Sequence, residues 1–244
     1  MASGLDVRTD WPVAGVALTD DGVRLTSASG RVETGSHVVV TVPLGVLRSG
    51  SVTFTPPLPV ERTRAVARLG FGRYEKVVLR FSEPFWREAG WSHLVLFPPD
   101  PAQPAAWVFD LDAFGVGPVL ACHVFHSAAD RISGAWPAGA AAWVTDQLTA
   151  VLGAPCPDPL AVAVTGWADD PYAGGAYTHV PPGAANADLD LLGTPVAGRI
   201  LFAGEHTQSA RVGYADGAMS SGVREARRLL GVPAVALGRV SGAS

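Results

Sequence analysis

Charge is scarce in this 244-residue chain, and lysine is scarcer still. Charged residues make up 16% of it and the formal net charge is −4; of the 18 basic residues, all but Lys76 are arginine. No basic tract occurs, which argues against a nucleic-acid partner. Cysteine is almost absent. Cys122 and Cys156 lie far apart in sequence, so they form neither a paired metal motif nor a disulfide framework, and a reducing, cytoplasmic compartment is expected. No apolar run reaches the ~18–20 residues that span a bilayer. Residues 1–10 lack the basic-then-apolar order of a secretory leader, so a soluble chain with no membrane contact is expected. Repeats of solenoid period are missing, as are G-x-S-x-G, G-x-x-x-x-G-K-[ST] and H-E-x-x-H. Cys122, His123 and His126 sit close in sequence, but strand neighbours alternate faces, which sends His123 and His126 to opposite sides and argues against a metal site.

What is abundant is apolar surface: 48% of the residues, with 28 glycines and 20 prolines to punctuate them. That balance suits a buried-sheet globular protein. Val13–Leu18 and Val23–Leu25 flank Asp20-Asp21-Gly22, the pattern of a β-meander with hairpin turn chemistry. His37–Val42 has no polar alternation, as in a strand buried on both faces of a parallel sheet, and Pro43 ends it. A helix is expected from Val60 to Leu69, capped by Gly70. Strands are expected at Lys76–Phe81, Ala106–Leu111, Val119–Phe125 and Val162–Trp167. Pro137 should open a second helix with Val144, Leu148, Val151 and Leu152 on one face. After a Gly/Pro-rich loop, Ile200–Ala203 reads as a buried strand. It leads through a glycine-rich turn to a helix with Ala215, Met219, Gly222, Ala226 and Leu230 on one stripe, stopped by Gly231 and Pro233.

Three separated segments resemble the flavin amine oxidase family. The first is Val40-Thr41-Val42-Pro43-Leu44-Gly45, continued by Phe54-Thr55-Pro56-Pro57, Leu69-Gly70-Phe71-Gly72 and Lys76–Phe81. The second is Trp167–Tyr177. The third is Phe202-Ala203-Gly204-Glu205-His206-Thr207 with Gly213-Tyr214-Ala215-Asp216-Gly217 and Ser221-Gly222-Val223-Arg224-Glu225-Ala226. Their order and separations fit over Val13 to Leu230. The resemblance implies an α/β fold. Residues 1–60 and 168–232 would form a partial, doubly wound FAD-binding domain, 61–167 a mixed-sheet substrate domain, and 233–244 a tail. The family's G-x-G-x-x-G turn, which cradles the FAD pyrophosphate, has no counterpart here. The expectation is that a separate chain supplies that half or that the chain is a fragment.

The resemblance also implies roles. Lys76, read alone, is an ordinary strand-edge lysine. It stands where the family keeps a lysine that holds a water near flavin N5, a task suited to a compact ammonium. Tyr177 and Tyr214, read alone, are half-buried core tyrosines; in the family's monoamine-oxidase-like branch two such aromatics form a cage that attracts an amine. Ala176 occupies a position where some members carry a flavin-bonded cysteine, so non-covalent FAD is implied. Gly204, Glu205, Gly213 and Ala215 would line the cofactor. Gly204 would permit close approach, Glu205 would bind ribitol or ribose hydroxyls, and the helix starting near Ala215 would aim its positive end at the flavin. Val13 would hold the adenine through its backbone, and Trp167 would pack beside the flavin, with core filling as an equal alternative.

The implied reaction is oxidation of an amine next to its nitrogen, with imine hydrolysis and reoxidation by O2 to hydrogen peroxide. An L-amino-acid oxidase or other FAD oxidoreductase of this fold, and an inactive truncated chain that needs a partner, stay open.

Overall fold

The computed structural model describes residues 4–91, 107–125, 129 and 138–232. In chain order, the elements of the first part are β1 (Val13–Leu18), β2 (Val23–Ser27), β3 (Val32–Gly35), β4 (Val38–Val40), α1 (Leu44–Ser49), β5 (Thr53–Thr55), α2 (Val60–Arg68) and β6 (Gly70–Phe71). The middle holds β7 (Tyr74–Arg80), β8 (Trp107–Asp110), β9 (Val119–Phe125), α3 (Ala138–Leu152) and β10 (Ala161–Val164). Last come β11 (Thr178–His179), α4 (Asn186–Leu192), β12 (Ile200–Phe202) and α5 (Ala215–Leu230). The expected tail, together with His126, Pro137 and Pro233, lies outside the described residues.

The chain divides into two compact units. One is discontinuous, running up to Gly70 and resuming at Tyr177; the other is continuous, Phe71–Ala176. In the discontinuous unit, a four-stranded mixed sheet has the order β3-β2-β1-β5, and a separate parallel pair joins β4 to β12. The parallel pairing of Val38–Val40 with Ile200–Phe202 accounts for the unalternated apolar run, since neither face of such a strand is left to water. Val16, Val23, Val40, Val46, Val52, Ile200 and Phe202 form its core.

The continuous unit is built on an antiparallel sheet of order β10-β7-β9-β8. Period-two alternation is clean along β7; in β9, Val119–Cys122 are all buried and alternation shows only from Cys122 to Phe125. Val77, Leu79, Leu120, Cys122 and Val124 point into a core with Val144 and Leu148 of α3. Burial also pushes the Cys122 thiol well above its usual range, which keeps it protonated.

Several elements differ from the sequence reading. Gly70 does not cap α2: Leu69 is already extended (φ −64°, ψ 141°) and Gly70 starts β6. A Cβ on Gly70 would meet the exposed His179 imidazole, which would have to swing aside. The helices α1 and α4 went unread. The strand ending the middle region stops at Val164 rather than Trp167. There the Glu75 carboxylate accepts the amides of Trp167 (3.2 Å) and Ala168 (3.0 Å) and the Thr165 hydroxyl (2.6 Å), so these groups leave the ladder.

Helix α2, assigned to the middle region from sequence, packs with the chain ends. Arg68 pairs with Asp188 (Nε to Oδ2 3.2 Å), an interaction that holds the Asp188 carboxyl below its ordinary pKa. The Arg62 guanidinium, 2% exposed, donates to the Leu192 carbonyl (2.8 Å) and the Thr194 hydroxyl (3.0 Å). It also stacks 4.2 Å from the Phe202 ring centroid. It thereby satisfies carbonyls that the C-terminus of α4 leaves open. Burial lowers its pKa to about 10, still charged at neutral pH.

Candidate functional site

The discontinuous unit brings together most of the residues singled out near the C-terminus. β12 runs into Gly204, whose backbone (φ 146°, ψ 166°) lies in a region that essentially only glycine visits. Two residues of α5 hold this turn. The Ser221 hydroxyl accepts the Gly204 amide (2.8 Å), and Arg224 donates to the carbonyls of Phe202 (2.8 Å) and Thr207 (2.9 Å). The buried stripe of α5 is therefore Gly217, Ser221 and Glu225. Met219, Ala226 and Leu230, placed on one stripe from sequence, are exposed. Hydrogen bonding to the turn, rather than apolarity, chose the face. Glu225, fully buried, is paired with Arg224 and Arg228.

Glu205 leaves the turn and reaches two other segments. One carboxylate oxygen accepts both the amide (3.2 Å) and the hydroxyl (2.7 Å) of Thr178; the other accepts the Gly213 amide (2.7 Å). These partners adjoin Tyr177 and Tyr214. The two segments lie close together: a Cβ added to Gly213 (φ 78°) would lie 3.6 Å from Tyr177 Cδ2. Both tyrosines present surface in this chain, 38% of Tyr177 and 60% of Tyr214. Arg211 covers one side of the Tyr214 ring, with its guanidinium carbon 4.8 Å from the centroid, and is clamped to Asp216 (2.7 and 2.8 Å). Sequence reasoning missed this stacking, although an arginine three residues before a tyrosine was a visible signal.

Tyr214 precedes α5 in an extended conformation (φ −114°, ψ 147°) and supplies no side-chain cap. Among the described residues, only the Gly217 amide of the first turn has a side-chain acceptor, Asp216 Oδ1 at 3.0 Å. Ala215 opens the helix and is exposed. Gln208 Nε2 is buried with no hydrogen-bond partner among the described residues. The ring of His206 packs beneath Gly204, and burial drives its pKa down to about 4, so it is neutral. Val13 begins β1, opposite Ser27.

The continuous unit carries the other two residues. Lys76 is half-buried on β7, opposite His123 of β9, with its ammonium 5.5 Å from the Tyr74 ring centroid. Tyr74 and His123 are hydrogen-bonded. Trp107 and Phe109 flank His123 from β8, and Phe125 packs against Tyr74. Burial, and then the Lys76 charge, lower the His123 pKa. This aromatic cluster escaped the sequence reading because it depends on strand register. Trp167 is 45% exposed. Among the described residues, no group of histidine, cysteine and carboxylate side chains is arranged to hold a metal ion, and no helix is long and apolar enough to cross a membrane.

Comparison with known proteins agrees with this architecture. The sequence model of the family described as flavin containing amine oxidoreductase matches residues 1–230. Lysine-specific histone demethylase 1 homolog 3 of Arabidopsis thaliana is 34% identical over 243 residues, covering 95% of this chain but 15% of its own length. The human peroxisomal N(1)-acetyl-spermine/spermidine oxidase is 38% identical over 216 residues, covering 80% of this chain and 42% of its own length. Among solved structures, cyclohexylamine oxidase from Brevibacterium oxydans superposes with a TM-score of 0.72 at 27% identity. That match covers 90% of this chain and 48% of that one. The chain thus spans less than half the length of these relatives.

Proposed function

Because this chain belongs to the flavin-containing amine oxidoreductase family, we propose that it forms the substrate-side portion of an FAD-dependent amine oxidase. One observation carries the reading: a single turn, Gly204-Glu205, is bonded to the neighbours of two surface-presented tyrosines and lies beside a helix N-terminus with no side-chain cap. When bound, the flavin supplies a two-electron acceptor for the carbon next to the amine nitrogen, and O2 restores it with release of hydrogen peroxide.

The chain's own residues bind and orient. Tyr177 and Tyr214 attract the amine with their ring faces, a contact of ~0.5–2 kcal/mol each. Arg211 holds one side of Tyr214, which leaves the other for substrate. The open first-turn amides of α5, together with Gln208 Nε2, are unused donors of the kind a flavin's polar edge requires, and the helix N-terminus favours negative charge there. Glu205 retains acceptor capacity for a ribityl hydroxyl, because Oε2 takes only the Gly213 amide. Gly213 and Ala215 contribute backbone, Val13 a backbone contact to adenine, and the exposed indole of Trp167 a flat apolar surface. Lys76 holds a water through its ammonium. With Ala176 in place of a nucleophile, FAD is held without a covalent bond.

The test is a panel of monoamines, polyamines and amino acids offered to the FAD-loaded protein, read by anaerobic flavin bleaching and by peroxide. Amines should bleach the flavin, and Tyr214→Leu should raise the amine KM without releasing FAD. Bleaching by amino acids alone would replace the reading with an amino-acid oxidase. FAD loss in the Tyr214 variant would make that residue structural.

A further inference from the structure

We infer that Glu205 is the positioning residue that sets the two tyrosines relative to one another. The inference rests on the reading of Tyr177 and Tyr214 as the amine-binding pair. Its physical basis is independent of any ligand. The side chains of Tyr177 and Tyr214 start from backbone segments that are 37 residues apart (214 − 177) and are not consecutive strands of one sheet. The Glu205 carboxylate is bonded to both. Oε1 takes two donors from Thr178, which is 2% exposed, and Oε2 takes the Gly213 amide at 2.7 Å.

A carboxylate accepts on both oxygens, whereas a carboxamide has one acceptor oxygen and one NH2 donor group. In Glu205→Gln the oxygen can face Thr178 and set NH2 against the Gly213 amide, or face Gly213 and give NH2 to the Thr178 hydroxyl, which also accepts, at the cost of the Thr178 amide. Either way one backbone N–H loses its acceptor, so the substitution holds one tyrosine segment and releases the other. Thr178→Val removes one bond beside Tyr177 and keeps the Gly213 contact intact. General loosening of the unit would move both tyrosines in both variants.

The chain has four tyrosines, so 3-fluorotyrosine labelling gives four 19F resonances, assigned by single Tyr→Phe changes. On the full chain without added flavin, Glu205→Gln should shift and broaden one of the Tyr177 and Tyr214 signals while Tyr74 and Tyr172 hold their positions. Thr178→Val should move Tyr177 and leave Tyr214. Equal movement of both tyrosines in each variant, or movement of neither, overturns the positioning role. If Glu205→Gln does not fold, Glu205→Asp replaces it: a carboxylate one methylene shorter cannot reach both segments, and one of the two tyrosine signals must move while the other holds. In the FAD-loaded protein, Thr178→Val, which leaves Glu205 itself unchanged, should raise the amine KM about 2- to 30-fold, the range set by one ring contact, with a smaller change in kcat. One-sided 19F shifts without any amine effect would keep the positioning role and discard the amine reading. An amine effect without one-sided shifts would do the opposite.

Discussion

Replacing Gly204 with alanine should cost the discontinuous unit several kcal/mol, and the cost divides into two parts that can be separated. The first is conformational. At φ 146° and ψ 166° the backbone sits where an L-side chain is strained by ~1–3 kcal/mol. The second is steric. The new Cβ would stand 2.6 Å from Cε1 and 2.9 Å from Nδ1 of His206, a ring that is 3% exposed and has little room to retreat. Overpacking of this kind costs ~1–3 kcal/mol. Against these stands a gain of ~0.4–1 kcal/mol from the stiffer unfolded chain, too small to change the sign. The net loss is about 1–5 kcal/mol, a large share of the stability of an ordinary domain.

A double-mutant cycle with His206→Ala isolates the steric part, since trimming the ring removes the collision and leaves the dihedral cost. Coupling of ~1–3 kcal/mol is expected. Hydrogen exchange of peptides covering residues 200–221 reports this unit alone, which a global melt of a two-unit chain would not. An identical Gly204→Ala cost in both His206 backgrounds would refute the steric argument, and a cost below about 0.5 kcal/mol would refute both parts.

Further expectations follow from the same geometry. His206 is neutral in the fold with a pKa near 4 but takes a proton near 6.5 when unfolded. The unfolded state therefore binds more protons between these values. Stability is complete above pH ~6.5 and falls by about 3 kcal/mol as pH drops toward 4; His206→Asn should flatten this slope in exchange measurements of the discontinuous unit. Arg62→Met should cost about 2–4 kcal/mol by leaving carbonyls at the end of α4 unsatisfied, seen as faster exchange at residues 189–194. Lys76→Met in the FAD-loaded protein should slow flavin reduction or its reoxidation about 100-fold, measured by stopped flow; unchanged rates in both would remove Lys76 from the chemistry. Acid precipitation should release the flavin into the supernatant, because Ala176 offers no atom to bond it.

Local features were legible wherever a residue acts through its own backbone or its immediate neighbours. The Asp20-Gly22 turn and the arrest of α5 at Gly231 both follow from short-range chemistry. Features that depend on a distant acceptor were not. Glu75 halts β10 from 92 residues away. The face of α5 was misread because Ser221 and Arg224 answer to carbonyl and amide groups of the Gly204 turn, which hydrophobic periodicity does not register. At the site, the types of residue could be named from motif and resemblance. The partners of Glu205, 27 and 8 residues away, needed coordinates.

The pairing of β4 with β12 has a consequence for biosynthesis. Val40 and Phe202 are register partners separated by 162 residues (202 − 40), and both belong to one core. At 5–20 residues per second, a ribosome needs roughly 8–30 s to deliver the second strand after the first. The continuous unit, whose contacts are complete by Ala176, emerges in that interval and can condense first. Its folding shortens the tether that β12 must close, which lowers the entropy lost in the final step. During that interval the valines of β4 are exposed without a partner strand, a window in which a chaperone would find them.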